Sequence, residues 1–141
     1  PYLLMGTILG RQRRYGEAIA AYRTGLGIDP DMYDAACELA WLLSTVPDDT
    51  LRDGRQAVLL AGRVRDVTGG MSARALLVLA AAHAETGDFD SAIEVAGRAM
   101  TLNPGVPAGL PSDAAVLAGH GADGTELLST FRQHRPYRLL Q

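Results

Sequence analysis

Residues 72–104 constrain the fold more than any other stretch of this chain. They read SARALLVLAAAHAETGDFDSAIEVAGRAMTLNP. Leu76, Leu79, Ala80 and His83 fall at i, i+3, i+4 and i+7, the spacing of one packed helix face. Beyond the turn Thr86-Gly87-Asp88-Phe89-Asp90, the residues Phe89, Ala92, Ile93, Ala96, Ala99 and Met100 keep the same period. Asn103-Pro104 stops the second helix, because proline pushes the residue before it out of the helical region. The stretch is a helix–turn–helix hairpin, and the rest of the chain repeats it. The inward alanines just after each turn, Ala18, Ala57 and Ala92, lie 39 and 35 residues apart. The stop prolines Pro30 and Pro104 are separated by 74 residues, as are Ala18 and Ala92.

Taken in order, a first helix is expected over 2–14, with Tyr2, Met5, Gly6 and Leu9 on one face. Gly6 is small where a partner helix must come close, and Arg11, Arg13 and Arg14 suit the C-terminal end of the dipole. The second helix, over 16–28, presents Tyr15, Ala18, Ile19, Tyr22, Leu26 and Ile28 and stops at Asp29-Pro30. Asp31 has the chemistry of an N-cap for a third helix over 32–46, packed through Ala36, Leu39, Ala40 and Leu43. The connection 47–53 is longer than the other turns. A fourth helix follows over 54–67, with Ala57, Val58, Leu60, Ala61 and Val64 inward and Gly69-Gly70 as a left-handed stop. Ser72 caps the fifth. After Pro104 the pattern weakens: a short helix is expected over 112–118 and a last amphipathic one over 124–134, carrying Leu127, Leu128 and Phe131. An array end exposes apolar surface unless covered, and this last helix is assigned that task.

Composition narrows the class. With 48% hydrophobic and 21% charged residues in 141, the chain has enough apolar surface for one packed domain. All 13 basic residues are arginine and the formal net charge is −3, so nothing favours nucleic acid or an acidic membrane surface as partner. Cys37 is the lone cysteine and excludes an internal disulfide. No apolar run reaches the roughly 18 residues of a membrane span, and no signal-peptide pattern opens the chain. It begins at Pro1 without methionine, as a piece of a longer protein would.

Catalytic, cofactor and metal chemistry find little support. His83, His120 and His134 lie far apart, and none stands at metal-ligand spacing with Cys37. His83 occupies a packing position and is expected in or at the edge of the core. Cys37 has no basic neighbour in sequence and reads as an inert thiol. Gly119-His120-Gly121-Ala122-Asp123-Gly124 matches a dinucleotide glycine pattern in letters only, since no strand precedes it and no acidic residue follows ~20 positions on. Asp48, Asp49 and Asp53 lack the alternation of a calcium loop and read as a solvated loop with caps. Arg132, Arg135 and Arg138 recur every third residue and read as a solvated tail that could meet an acidic partner.

These features resemble tetratricopeptide-repeat proteins over residues 2–104, whose unit is about 34 residues. The third unit matches through Ala80, Gly87-Asp88-Phe89, Ala92-Ile93, Ala99 and Asn103-Pro104. The first matches through Gly6, Tyr15, Glu17-Ala18-Ile19, Tyr22, Leu26 and Asp29-Pro30, and departs at Gly25, where the motif prefers alanine. The middle unit is degenerate. Its Leu39-Ala40-Trp41-Leu42-Leu43-Ser44-Thr45-Val46-Pro47-Asp48, and the arginine-aromatic tail over 131–138, are similar to variant units and tails of bacterial repeat proteins. The resemblance implies an all-α fold: a right-handed α-solenoid of three helix hairpins with a C-terminal capping helix. Units are expected over 1–30, 31–70 and 71–104, with a linker, capping helix and tail over 105–141.

It further implies protein–protein interaction without catalysis, and no cofactor or metal. The partner would be a peptide or helix held on the concave face that the first helix of each hairpin lines. That face should include Leu3, Thr7, Arg11, Cys37, Glu38, Trp41, Ser44, Arg74, Leu77, Val78, Ala81 and Glu85. Trp41 is the candidate anchor, a role requiring partial exposure in the free chain; packing between units is the competing role. Leu77-Val78-Leu79 cannot share one helix face, so one side must meet the groove or the next unit. Some family members grip chaperone C-termini through a clamp of lysines, asparagines and an arginine. At matching places this chain has Leu3, Thr7, Glu38 and Val78, and only Arg74 fits. The alternative function is a regulatory or oligomerising appendage of a larger enzyme lying upstream, such as a membrane-embedded glycosyltransferase-like protein. The compartment stays open: cytoplasmic by default, extracytoplasmic for the tail of a membrane protein.

Overall fold

The computed structural model describes residues 1–102 and 124–139. Among them the regular structure is helical, without a strand: α1 (Tyr2–Arg11), α2 (Tyr15–Ile28), α3 (Tyr33–Thr45), α4 (Gly54–Val67), α5 (Ala73–Glu85), α6 (Phe89–Leu102) and α7 (Gly124–Arg132). Helices pair as α1/α2, α3/α4 and α5/α6, and the hairpins stack through α2 on α3, α4 on α5 and α3 on α5. The result is an α-solenoid of helix hairpins, with α7 packed on α6. The short helix expected over 112–118 and the glycine pattern 119–124, apart from its last residue, lie outside the described residues.

Local chemistry accounts for the ends. Asp29 and Val46 both precede proline, and both take extended conformations that close α2 and α3. Asp53 and Ser72 cap α4 and α5 by accepting from the backbone N–H groups of Gln56 and Ala75. Gly69 and Gly70 carry φ of 65° and 75°, as the left-handed stop requires. Three expectations need correction. Helix α1 ends at Arg11, so Arg13, at φ 61°, and Arg14 belong to the turn. Asp31 does not cap α3; Met32 is the N-cap, without a side-chain hydrogen bond, and the Asp31 carboxylate is drawn across to Arg63 at 2.9 Å. Helix α7 stops at Arg132, and His134 turns the chain at φ 56°.

Helices α3 and α5 form the centre. Residues 35–45 of α3 are all buried, as are 73–82 of α5. A helix apolar on every side is an interior helix, which settles why Leu77, Val78 and Leu79 stand consecutively. Helices α2, α4 and α6 bury one stripe each, through Ala18, Ile19 and Tyr22, through Ala57, Ala61 and Val64, and through Ala92, Ala96 and Ala99. At the far end Leu127 and Phe131 of α7 are fully buried, covering the surface that α6 would otherwise expose.

Two glycines set the spacing of the first hairpin. A Cβ on Gly6 would sit 2.5 Å from the Tyr22 ring. One on Gly25 would sit 3.0 Å from Tyr2 Cβ, the physical reason for a glycine where alanine was expected. Gly10 meets nothing within 4 Å. Thermal unfolding should therefore separate two like substitutions in one helix. Gly10→Ala is expected to stabilise by up to about 1 kcal/mol through reduced backbone entropy. Gly6→Ala is expected to destabilise by about 1–3 kcal/mol through overpacking against Tyr22.

Candidate functional site

Polar side chains join the first helices of the three hairpins along one face of α3. Thr7 Oγ1 of α1 lies 3.2 Å from Glu38 Oε2 of α3 and 3.2 Å from the Tyr22 hydroxyl of α2. The Tyr22 hydroxyl donates to the same Glu38 oxygen. Arg74 of α5 places Nη2 3.5 Å from Glu38 Oε1 and donates through Nη1 to Asp34 at 2.9 Å. Glu38 and Arg74 are both buried. An ion pair removed from water persists only with further hydrogen bonds around it, and Tyr22, Thr7 and Asp34 supply them. Burial pushes the Glu38 carboxyl above the usual carboxylate range, although Tyr22, Arg74 and Thr7 pull it down. Burial, then the adjoining Glu38 carboxylate, holds the Tyr22 phenol far above its ordinary value.

The same face changes character one turn further along α3. Trp41 lies under Tyr137, the rings 5.7 Å apart and tilted by 33°. Arg138 Nη2 donates to both oxygens of Glu85, at the end of α5, at 2.8 and 3.1 Å. Arg138 Nη1 donates to the Ser44 carbonyl at 3.3 Å, and the Leu139 N–H donates to the Thr45 carbonyl at 2.8 Å. On its other side Glu85 faces Arg52 Nε at 3.2 Å. Residues 137–139 thus lie across the ends of α3 and α5 as an irregular segment that follows α7 after a turn. The turn that delivers them is closed by Arg135 N–H on the Thr130 carbonyl and by His134 stacked on Phe89 at 5.3 Å.

This arrangement places the expected face residues as follows. Leu3, Thr7 and Glu85 are half-buried and Arg11 is exposed, while Cys37, Glu38, Trp41, Ser44, Arg74, Leu77, Val78 and Ala81 are buried. Trp41 is 3% exposed, so the partial exposure required of an anchor in the free chain is absent; Tyr137 covers it. Cys37 packs with Ala36, Val64 and Ala75 between helices instead of on the face. Burial pushes its thiol up to about 11, Arg74 opposing. Leu77, Val78 and Ala81 belong to the continuous core. Of the tail arginines, Arg132 and Arg135 are exposed as expected, but Arg138 is not solvated: it is half-buried against Glu85. His83 is half-buried, 4.0 Å from Asp88.

Tyr137, Arg138, Leu139, Thr45 and Arg52 complete this region, and the sequence reading assigned none of them to it. Two signals pointed there. The last turn of α3 holds no basic residue although its dipole favours one. After Pro136 an aromatic, a cation and an aliphatic residue alternate, as suits an extended segment buried on one side.

Among the described residues, no group of three or more His, Cys, Asp or Glu could hold a metal ion, and no helix is long and apolar enough to cross a membrane. The chain matches tetratricopeptide repeat family models over residues 1–32 and over residues 50–107. Residues 33–49, which include Glu38, Trp41, Ser44 and Thr45, lie outside both matches. No curated protein matches the chain.

The polar network carries a pH signature. Glu38 faces Tyr22, Thr7, Asp34, Cys37 and Arg74. Its carboxyl is raised in the folded chain above the ordinary 4.5, so between those two values the folded state binds the extra proton. Stability relative to Glu38→Gln should rise as pH falls through that window and level off below it. Urea unfolding of both chains from about pH 7 to about pH 4 reads this directly. A difference that stays constant with pH contradicts the assignment.

Proposed function

The chain belongs to the tetratricopeptide-repeat family, and from that premise we propose that it is a scaffold whose concave groove, lined by α1, α3 and α5, holds an extended segment of a protein partner. Tetratricopeptide repeats generally mediate protein–protein interaction, and such domains are typically non-catalytic. One observation carries the groove assignment: the face already supports a non-helical segment, residues 137–139, through a tilted ring contact, an arginine–carboxylate pair and a backbone hydrogen bond. Those are the contacts by which grooves hold extended peptides. Thr7 and Arg11 continue the lining toward the first hairpin, beside the buried Glu38 and Arg74, and Trp41, Ser44 and Glu85 receive the segment, while Leu77, Val78 and Ala81 belong to the core behind it.

A second function, from a different class, is supported by α1. Leu4, Met5 and Ile8 stand exposed on one side of it, an apolar surface suited to packing on further protein. In this reading the array is a regulatory or oligomerising appendage of a larger enzyme.

Photo-crosslinking in source extract distinguishes the two. A photoreactive residue at Thr7 is expected to capture a partner protein, while one at Leu59, exposed on the outer helix α4, is expected to capture none. Capture through position 8 alone, or of a second copy there, contradicts the groove and supports the appendage.

A further inference from the structure

The segment on the inner face has the form of a ligand. Tyr137 and Leu139 are buried, and Arg138 between them is half-buried. On this face they meet residues far away in sequence, Trp41, Ser44, Thr45 and Glu85 among them. The receiving surface is specific in charge and direction. The Ser44 and Thr45 carbonyls end α3, where the dipole is negative, and Glu85 adds a carboxylate beside them. This corner therefore calls for a cation and a backbone N–H next to each other, with an aromatic ring one residue earlier.

The fit is incomplete at one atom. Trp41 Nε1 is buried and has no hydrogen-bond partner among the described residues. A buried indole N–H ordinarily finds an acceptor. Tyr137 covers the ring, and among the described residues none meets that donor. A segment that stacks on Trp41 and also offers a carbonyl to Nε1 would hold the groove better.

Resting on the groove assignment above, we propose that residues 137–139 are a built-in competitor, and that the partner is a protein presenting an extended aromatic–arginine–aliphatic segment that displaces them. The tether gives the internal segment a high effective concentration, so it sets a threshold against weak ligands. Displacement is expected to leave α1 to α6 in place, because these helices pair and stack through contacts of their own.

The experiment uses the full chain and a synthetic peptide with the sequence of residues 132–139. Trp41 is the sole tryptophan, so its fluorescence reports the groove. In the double variant Tyr137→Ala/Arg138→Glu, Trp41 emission is expected to shift to the red while helicity is kept. The peptide should restore the emission saturably. It should bind the variant about tenfold or more tighter than the wild type. A peptide with the tyrosine and leucine exchanged should fail. Equal binding to variant and wild type, no binding, or equal action of the exchanged peptide overturns the proposal. A wild-type dimer split by the peptide makes the occupant a second copy and overturns it too. Should the variant not fold, hydrogen exchange in the wild type decides. The Leu139 amide is expected to exchange by local opening while α3 and α5 stay protected. Exchange of Leu139 only with global unfolding overturns the proposal. Crosslinking at Thr7 to a partner lacking such a segment would sink this inference and leave the scaffold function standing.

Discussion

The end of α3 is a constraint that the surrounding structure must answer. The last carbonyls of any helix lack intrahelical partners, and here Ser44, Thr45 and Val46 are fully buried, so water cannot supply donors. An unmet buried carbonyl costs about 1–3 kcal/mol. Donors arrive from three directions. The Val46 N–H takes the Leu42 carbonyl and the Asp53 N–H takes that of Leu43. Arg138 and Leu139 take those of Ser44 and Thr45. Arg52 Nη1 takes those of Val46 and Pro47 at 2.7 and 3.1 Å. The length of the 47–53 connection follows from this. It must place Asp53 both to donate to α3 and to cap α4.

Burial provides most of the favourable energy, and polar groups decide where the helices sit. Fully burying a leucine or valine side chain is worth about 1.5–3 kcal/mol, and α3 and α5 bury several each. The exposed ion pairs, such as Arg63 with Asp31, are each worth at most about 1 kcal/mol. The Glu38–Arg74 pair is different in kind. Taken out of water it contributes little net stability, but it penalises any register of α3 against α5 that separates its members. With Tyr22 and Thr7 it ties α1, α2, α3 and α5 at one level. Glu85, held between Arg52 and Arg138, does the same at the other end of α5.

Much of this was legible in the sequence, and the misses share a cause. Hairpins are local, so the periods through Ala18, Ala57 and Ala92, the residues before Pro30 and Pro47, and the Ser72 cap could be read directly. The cover on Trp41 could not. Arg138 reaches Ser44 across 94 residues of chain, and no local pattern encodes such a contact. The same holds for Asp31, whose carboxylate looked like a cap until Arg63, 32 residues on, competed for it. Burial of the face was misjudged for one further reason. Periodicity assigns each residue to a side of its own helix, whereas a returning segment covers a side that the hairpins leave open.

The Arg138–Glu85 pair joins the tail to the end of α5, and a double-mutant cycle between the two residues measures that coupling most directly. Denaturant unfolding of the wild type, Arg138→Met, Glu85→Gln and the double variant gives the coupling energy. A coupling of at least about 0.5 kcal/mol is expected, as for residues in one ion-pair network. Additivity of the two substitutions within about 0.3 kcal/mol would contradict it.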